Sequence, residues 1–234
     1  MLNKFESGPK FNTEKENNLN LEHAHEREIT KEEVERLEKS EMAIDNKINF
    51  LLTKSGLKPA SEILLVIKTW HDEGLTEHMS EEEIQESLSI IQESGLPYHL
   101  KDREIIEEPY MKKKEPDVER FYEREQMKII IGRSKEDLDF LERARESKSD
   151  EMLGKAYGFP PTAIEAFVGK RKRLNRRSLP LEIRHSDGII FSSPTLSQDN
   201  WQEEIKYGQR CGEFIKRITP KLYEEMKIMA LKNL

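Results

Sequence analysis

Apolar positions fall into short, sharply punctuated segments whose spacing changes between the two halves of the chain. Thr30 and Glu33 form a capping box, after which Val34, Leu37, Ile44, Ile48 and Leu51 recur near a heptad spacing interrupted at Glu41. This predicts a helix ending at Gly56, with homodimerisation through residues 34–51 as an option that Glu41 weakens. Pro59 opens the next element, where ILLVI at 63–67 is apolar on every side and predicts a short buried helix, extended by Trp70 and stopped at Gly74. Ser80 and Glu83 make a second capping box before Ile84, Leu88 and Ile91, and Gly95 closes that helix. Residues 29–95 are therefore expected to form a helical bundle.

The pattern then changes. Residues 96–100 suggest a short extended piece, and 101–127 are dense in charge with Pro109 and Pro116 as breaks, either a linker or a charged helix over 117–126. The run MKIII at 127–131 predicts a buried strand, and Ser134 with Asp137 caps a helix carrying Leu138, Leu141 and Ala144. Met152, Leu153, Ala156 and Tyr157 share a helical face that ends at Gly158, placed for a left-handed cap. Phe159, Pro160 and Pro161 turn the corner into a helix with Ile164, Phe167 and Val168 inward, ended by Gly169. Residues 188–191, GIIF, predict a second buried strand. A helix from about Ser197 carries Trp201, Ile205, Phe214, Ile215 and Ile218, and Pro220 restarts the chain as a terminal helix with Leu222, Tyr223, Met226 and Met229. Strand, helices, strand and helix imply parallel strands joined by a right-handed crossover. The expected fold class is α/β and helix-rich, an N-terminal helical bundle plus a small parallel-stranded α/β domain. Its parts would be a disordered tail at 1–28, the bundle at 29–95, a charged linker at 96–126 and the α/β domain at 127–234.

Composition sharpens this picture. Among 234 residues, 36% are charged and 35% hydrophobic, and the net charge of -7 disfavours general coating of nucleic acid while leaving room for a local basic site. The single cysteine, Cys211, excludes an internal disulfide and a thiolate-rich structural zinc site. No run reaches the ~18 apolar residues of a membrane span. The opening residues lack the apolar core of a secretory signal, so no membrane association and a cytoplasmic setting are expected. His23 and His25 lie without other ligands nearby, and neither a metal nor another cofactor is expected.

Three places could carry chemistry or recognition. Lys170, Arg171, Lys172, Arg173, Arg176 and Arg177 place six positive charges within eight residues, a candidate contact for nucleic-acid phosphates, with a solvated loop as the bland alternative. The carboxyl ends of the two expected parallel strands would bring Arg133 and Ser134 near Ser192, Ser193 and Thr195. Helix amides there would favour a small anion. His185, Ser186 and Asp187 are consecutive and cannot face one another as a catalytic triad. No phosphate loop, dinucleotide fingerprint or HExxH is present.

The segments IIIGRSKEDLDFLERA, LGKAYGFPPTAIEAF and FSSPTLSQDNWQEEIKYGQR resemble a family of uncharacterised prokaryotic proteins, a domain of unknown function best known from archaea. The similarity spans about 127–217. In that family the corner carries a Gly-Tyr-Pro-x-Cys-Cys pattern before a helix ending in Phe, and a later segment carries His-x-Pro-Cys with another Cys soon after. Here Gly158, Pro160 and Phe167 match, while Thr162 and Ala163 stand where the paired cysteines would be. Ser192, Pro194 and Thr195 occupy the later segment, and the last cysteine position falls near Asp199 or Asn200. The resemblance implies a retained scaffold without its soft thiolate ligands, because Thr and Ala cannot replace them. The expected function is a non-catalytic binding or interaction module with an unknown protein or small-molecule partner. The alternatives are an RNA- or phosphate-binding protein using the basic run and an enzyme with a strand-end pocket near Arg133 and Thr195.

Overall fold

Both capping boxes form. Glu33 N donates to Thr30 Oγ1 at 3.2 Å and Thr30 N donates to Glu33 Oε2 at 2.9 Å, starting α1 (Lys31–Lys39). The computed structural model describes residues 28–71, 74–112, 115–192 and 195–232, with side chains outside 109–121. Nearly all of the expected N-terminal tail, with His23 and His25, lies outside the described residues, as do Ser193 and Pro194.

The heptad-like stretch is two helices, because the chain turns extended at Ser40 before α2 (Ile44–Lys54) begins. Val34, Leu37, Ile48 and Leu51 are all buried in the chain's own core, so the seam that suggested a dimer is consumed internally. The expected helix at 63–67 is instead the middle of a long strand, β1 (Ala60–His71). Burial alternates along it, with Ser61, Ile63, Leu65, Ile67 and Thr69 inward and Glu62, Leu64, Val66, Lys68 and Trp70 half-covered. Apolar residues on both faces hid this period of two. After β2 (Gly74–Glu77), the second capping box opens α3 (Glu81–Glu93).

Residues 96–126 contribute β3 (Tyr98–Leu100), β4 (Glu104–Lys112) and the first part of β5 (Glu115–Gly132). Strand order is β2-β1-β5-β3, with β4 also on β5, and every pairing is antiparallel. This corrects the expectation of a parallel-stranded α/β domain behind a helical bundle. Charge concealed the β4–β5 pair, in which ion pairs run diagonally between the strands while Glu107 faces Glu123. Arg124 meets Glu108 at 2.7 Å, and Lys128 lies 3.6 Å from Glu104. The MKIII run does form a buried strand at the end of β5, in register Ile63↔Ile129 and Ser61↔Ile131 with β1.

The run at 188–191 is the second correction. It forms one helical turn, α8 (Asp187–Ile190), following α7 (Leu181–Arg184). Four apolar residues cannot distinguish strand from helix by pattern alone. Packing decides: a Cβ added at Gly208 would sit 2.4 Å from Gly188 O, so the two backbones meet directly. Gly208 belongs to α9 (Trp201–Ile218), followed by α10 (Pro220–Lys232). Between β5 and α7 lie α4 (Lys135–Glu146), α5 (Asp150–Ala156) and α6 (Pro161–Phe167), with a 3-10 turn at Arg176–Ser178.

The main core packs Ile63, Leu65, Ile67, Ile129 and Ile131 of the sheet with residues of α2, α3, α9 and α10. On the opposite side Ala60 and Ile130 meet Leu138, Leu141, Ala144 and Ala156. A small third cluster joins Leu179, Ile189 and Leu196. Among the described residues no helix is long and apolar enough to cross a membrane.

Candidate functional site

The expected strand-end site loses its geometry with the parallel strands. Ser134 Oγ accepts from Asp137 N at 3.1 Å and caps α4, while Arg133 Nε lies 3.1 Å from Asp137 Oδ2. Ser192 follows a helix rather than a strand. Its Oγ donates to Ile189 O at 2.9 Å and accepts from Arg176 Nη2 at 3.2 Å. Thr195 is half-buried.

Much of the basic run is engaged by the protein itself. Lys170 pairs with Glu151, and Arg171 pairs with Glu165 and, at 2.7 Å, with Asp199. Arg173 donates to the carbonyls of Ala166 (3.1 Å) and Phe167 while its guanidinium lies 5.4 Å from the Phe167 ring centroid, so it closes the C-terminus of α6. Burial holds the Arg176 guanidinium below its ordinary range. Lys172 and Arg177 are exposed, and their side chains make no hydrogen bond or ion pair among the described residues.

The motif positions split between a corner and a polar knot. Gly158 adopts φ +74°, and a Cβ there would lie 2.5 Å from Pro59 Cδ, so both its dihedral and its contact require glycine. Pro160 caps α6, Ala163 is fully buried, and Phe167 is exposed beneath Arg173. Thr162 Oγ1 donates to Glu204 Oε1 at 2.6 Å and accepts from Asn200 Nδ2 at 3.0 Å. Ser197 N donates to Glu204 Oε2 at 2.8 Å, and the Ser197 hydroxyl donates to the same carboxylate. Glu204 is 1% exposed, so this carboxylate is buried with donors on both oxygens.

The least expected residue is Lys58. Its amide donates to Leu52 O at 3.0 Å, and Pro59 O accepts from Arg133 N at 2.7 Å. With Gly158 pressed on Pro59, the α2–β1 loop is pinned and Lys58 is driven inside, 8% exposed. Its Nζ donates to Asn49 Oδ1 at 2.8 Å and lies 5.8 and 5.9 Å from the ring centroids of Tyr157 and Phe159. Among the described residues no carboxylate pairs with it. The neighbouring buried lysines differ: Lys54 pairs with Glu33, and Lys47 donates to Glu38 O at 3.2 Å within the fields of Glu225 and Glu41. Burial lowers the Lys58 pKa to about 8, against an opposing pull from Cys211.

Lys58 lines a cleft of about 230 Å³. Its walls come from α2 (Asp45, Ile48, Asn49, Leu52), the end of α8 (Ile190, Phe191, Ser192), Tyr207, Met226 and Phe159 of the corner. The Tyr207 hydroxyl donates to Leu57 O at 3.5 Å, and burial, then the neighbouring Cys211, pushes it well above the ordinary range. Burial likewise raises the Cys211 thiol, partly offset by the neighbouring Tyr207 and Lys58. Sequence reading passed over Lys58 because a lysine beside a proline in a loop resembles any solvated lysine. The signal lay in its neighbours, since Pro59 and the Gly158 corner are what bury it.

Among the described residues, one group on the sheet's far side could hold a metal ion: His99, Asp139 and Glu142 offer ligand atoms within 4.8 Å of one another. Lys101 and Lys135 compete there, each 2.6 Å from one of those carboxylates. No protein-family model, curated protein or solved structure matches this chain.

Proposed function

We propose that this chain is a non-catalytic binding or interaction module on a scaffold whose cysteine positions have passed to a hydrogen-bonded knot. The observation that carries the reading is the Thr162–Asn200–Glu204 network. Positions 162 and 200, which the resemblance equates with a cysteine and the neighbourhood of another, are joined by a 3.0 Å hydrogen bond. Thr162 and Ser197 both close on buried Glu204. Hydroxyls, an amide and one carboxylate thus tie α6 to α9, without the thiolates that a soft metal or thiol chemistry needs. With Thr162 on one carboxylate oxygen and Ser197 on both, Glu204 is engaged as a structural anchor within the protein. The test is the metal content of protein purified without chelator. A substoichiometric content is expected. One bound transition metal per chain, lost on Glu204→Ala, would overturn the reading.

A further inference from the structure

We infer that the cleft lined by Lys58 is a binding site for a small monocarboxylate with an apolar body. Lys58 is 8% exposed, and the hydrogen-bond acceptor of its ammonium is the neutral Asn49 amide oxygen. A buried cation facing a neutral acceptor leaves charge uncompensated, and an anion entering the cleft would supply the missing partner through a charge-assisted hydrogen bond. Lys54, four residues earlier at the end of α2, shows the alternative, since Glu33 satisfies it internally.

Charge on the lining limits the ligand to a single negative group. Lys58 is the only lysine or arginine among the described lining residues, Asp45 opposes a second negative charge, and the nearby Arg176 donates to Ser192. A phosphate dianion needs several donors at once, whereas a carboxylate is matched by one ammonium. Ile48, Leu52, Phe159, Phe191 and Met226 give the remainder of the ligand apolar walls. The volume of about 230 Å³ falls below the roughly 300–1,000 Å³ of drug-sized sites, so the occupant is a short branched or aromatic acid. The cleft shares α9 with the Glu204 knot but no residue, and metal content and acid binding therefore fail independently.

The test uses the full chain labelled with ¹⁵N and titrated with benzoate, phenylacetate and 4-methylpentanoate, with benzamide, phenylacetamide and inorganic phosphate as controls. Saturable amide shifts are expected from at least one acid, centred on residues 45–52, 190–192, 207 and 226, with the controls at least about tenfold weaker. Losing a charge-assisted hydrogen bond corresponds to about tenfold or more in Kd, so Lys58→Met should weaken the acid by that factor. Met226→Trp, which fills the cleft and leaves the lysine, should also abolish binding and decides the matter if Lys58→Met does not fold. No saturable shift from any acid would overturn the inference. So would equal binding of the amides or phosphate, or undiminished binding in a folded Lys58→Met or Met226→Trp variant.

Discussion

Replacing Lys58 with methionine should make the protein more stable at neutral pH, an unusual result for removing a hydrogen-bonded side chain. Burial lowers its pKa from the ordinary 10.5 to about 8, and at 1.36 kcal/mol per tenfold this corresponds to about 3 kcal/mol against the folded state. The sign follows from proton binding. Between pH 8 and 10.5 the unfolded chain holds a proton that the folded chain has released, so wild-type stability rises with pH across that window. Below pH 8 the full penalty applies. Lys58→Met removes it but forfeits the bond to Asn49, a loss of about 1 kcal/mol, leaving a net gain of about 2 kcal/mol at pH 7. Toward pH 10.5 the gap should close and reverse to about 1 kcal/mol in favour of wild type. Tyr157, Tyr207, Cys211 and Asp45 surround the site in both proteins, so subtracting the two curves largely isolates Lys58. Urea unfolding of each protein from pH 6 to 10.5 measures the gap. A variant less stable at pH 7, or a gap flat from pH 7 to 10.5, would refute desolvation of this charge.

Other substitutions probe the supports around the cleft. Gly158→Ala combines a left-handed dihedral with a contact on Pro59 and should lose about 2 kcal/mol or more in urea unfolding. Glu204→Ala leaves the Ser197 and Thr162 donors without their acceptor and should destabilise by about 3 kcal/mol, whereas an exposed control such as Glu203→Ala should change stability by under about 0.5 kcal/mol. Arg173→Ala removes the bonds to the α6 carbonyls and should lower stability by about 1 kcal/mol, while Lys172→Ala should be neutral in the same assay. With Lys170, Arg171 and Arg173 already engaged, labelled RNA titrated at low and moderate salt should show little binding. A strong, salt-sensitive complex abolished by changing Arg171, Lys172 and Arg173 to Ala would contradict that expectation.

Local chemistry was readable where neighbours in sequence are also neighbours in space. Thr30 with Glu33, Ser80 with Glu83, and Ser134 with Asp137 all form the caps their spacing implies. Gly158 takes its left-handed conformation, Pro161 opens its helix, and MKIII lies in a buried strand. These features depend on a few dihedrals and hydrogen bonds within one turn or one short run.

What depended on distant partners was not readable. ILLVI is apolar on both faces, and only β5 beside it makes that run a strand. The charged residues 104–112 and 115–126 became strands by pairing with each other, a match with no trace in either segment alone. GIIF became a helical turn because Gly208 lets α9 approach its backbone. The cleft itself depends on the same logic, since Lys58, Phe159, Tyr207 and Met226 are far apart in the chain. Caps, corners and apolar runs follow from residues close together in the chain, because their energies are local. Tertiary structure decided strand pairing and the burial of Lys58, because hydrogen-bond partners and lost hydration depend on what the rest of the chain places beside a residue.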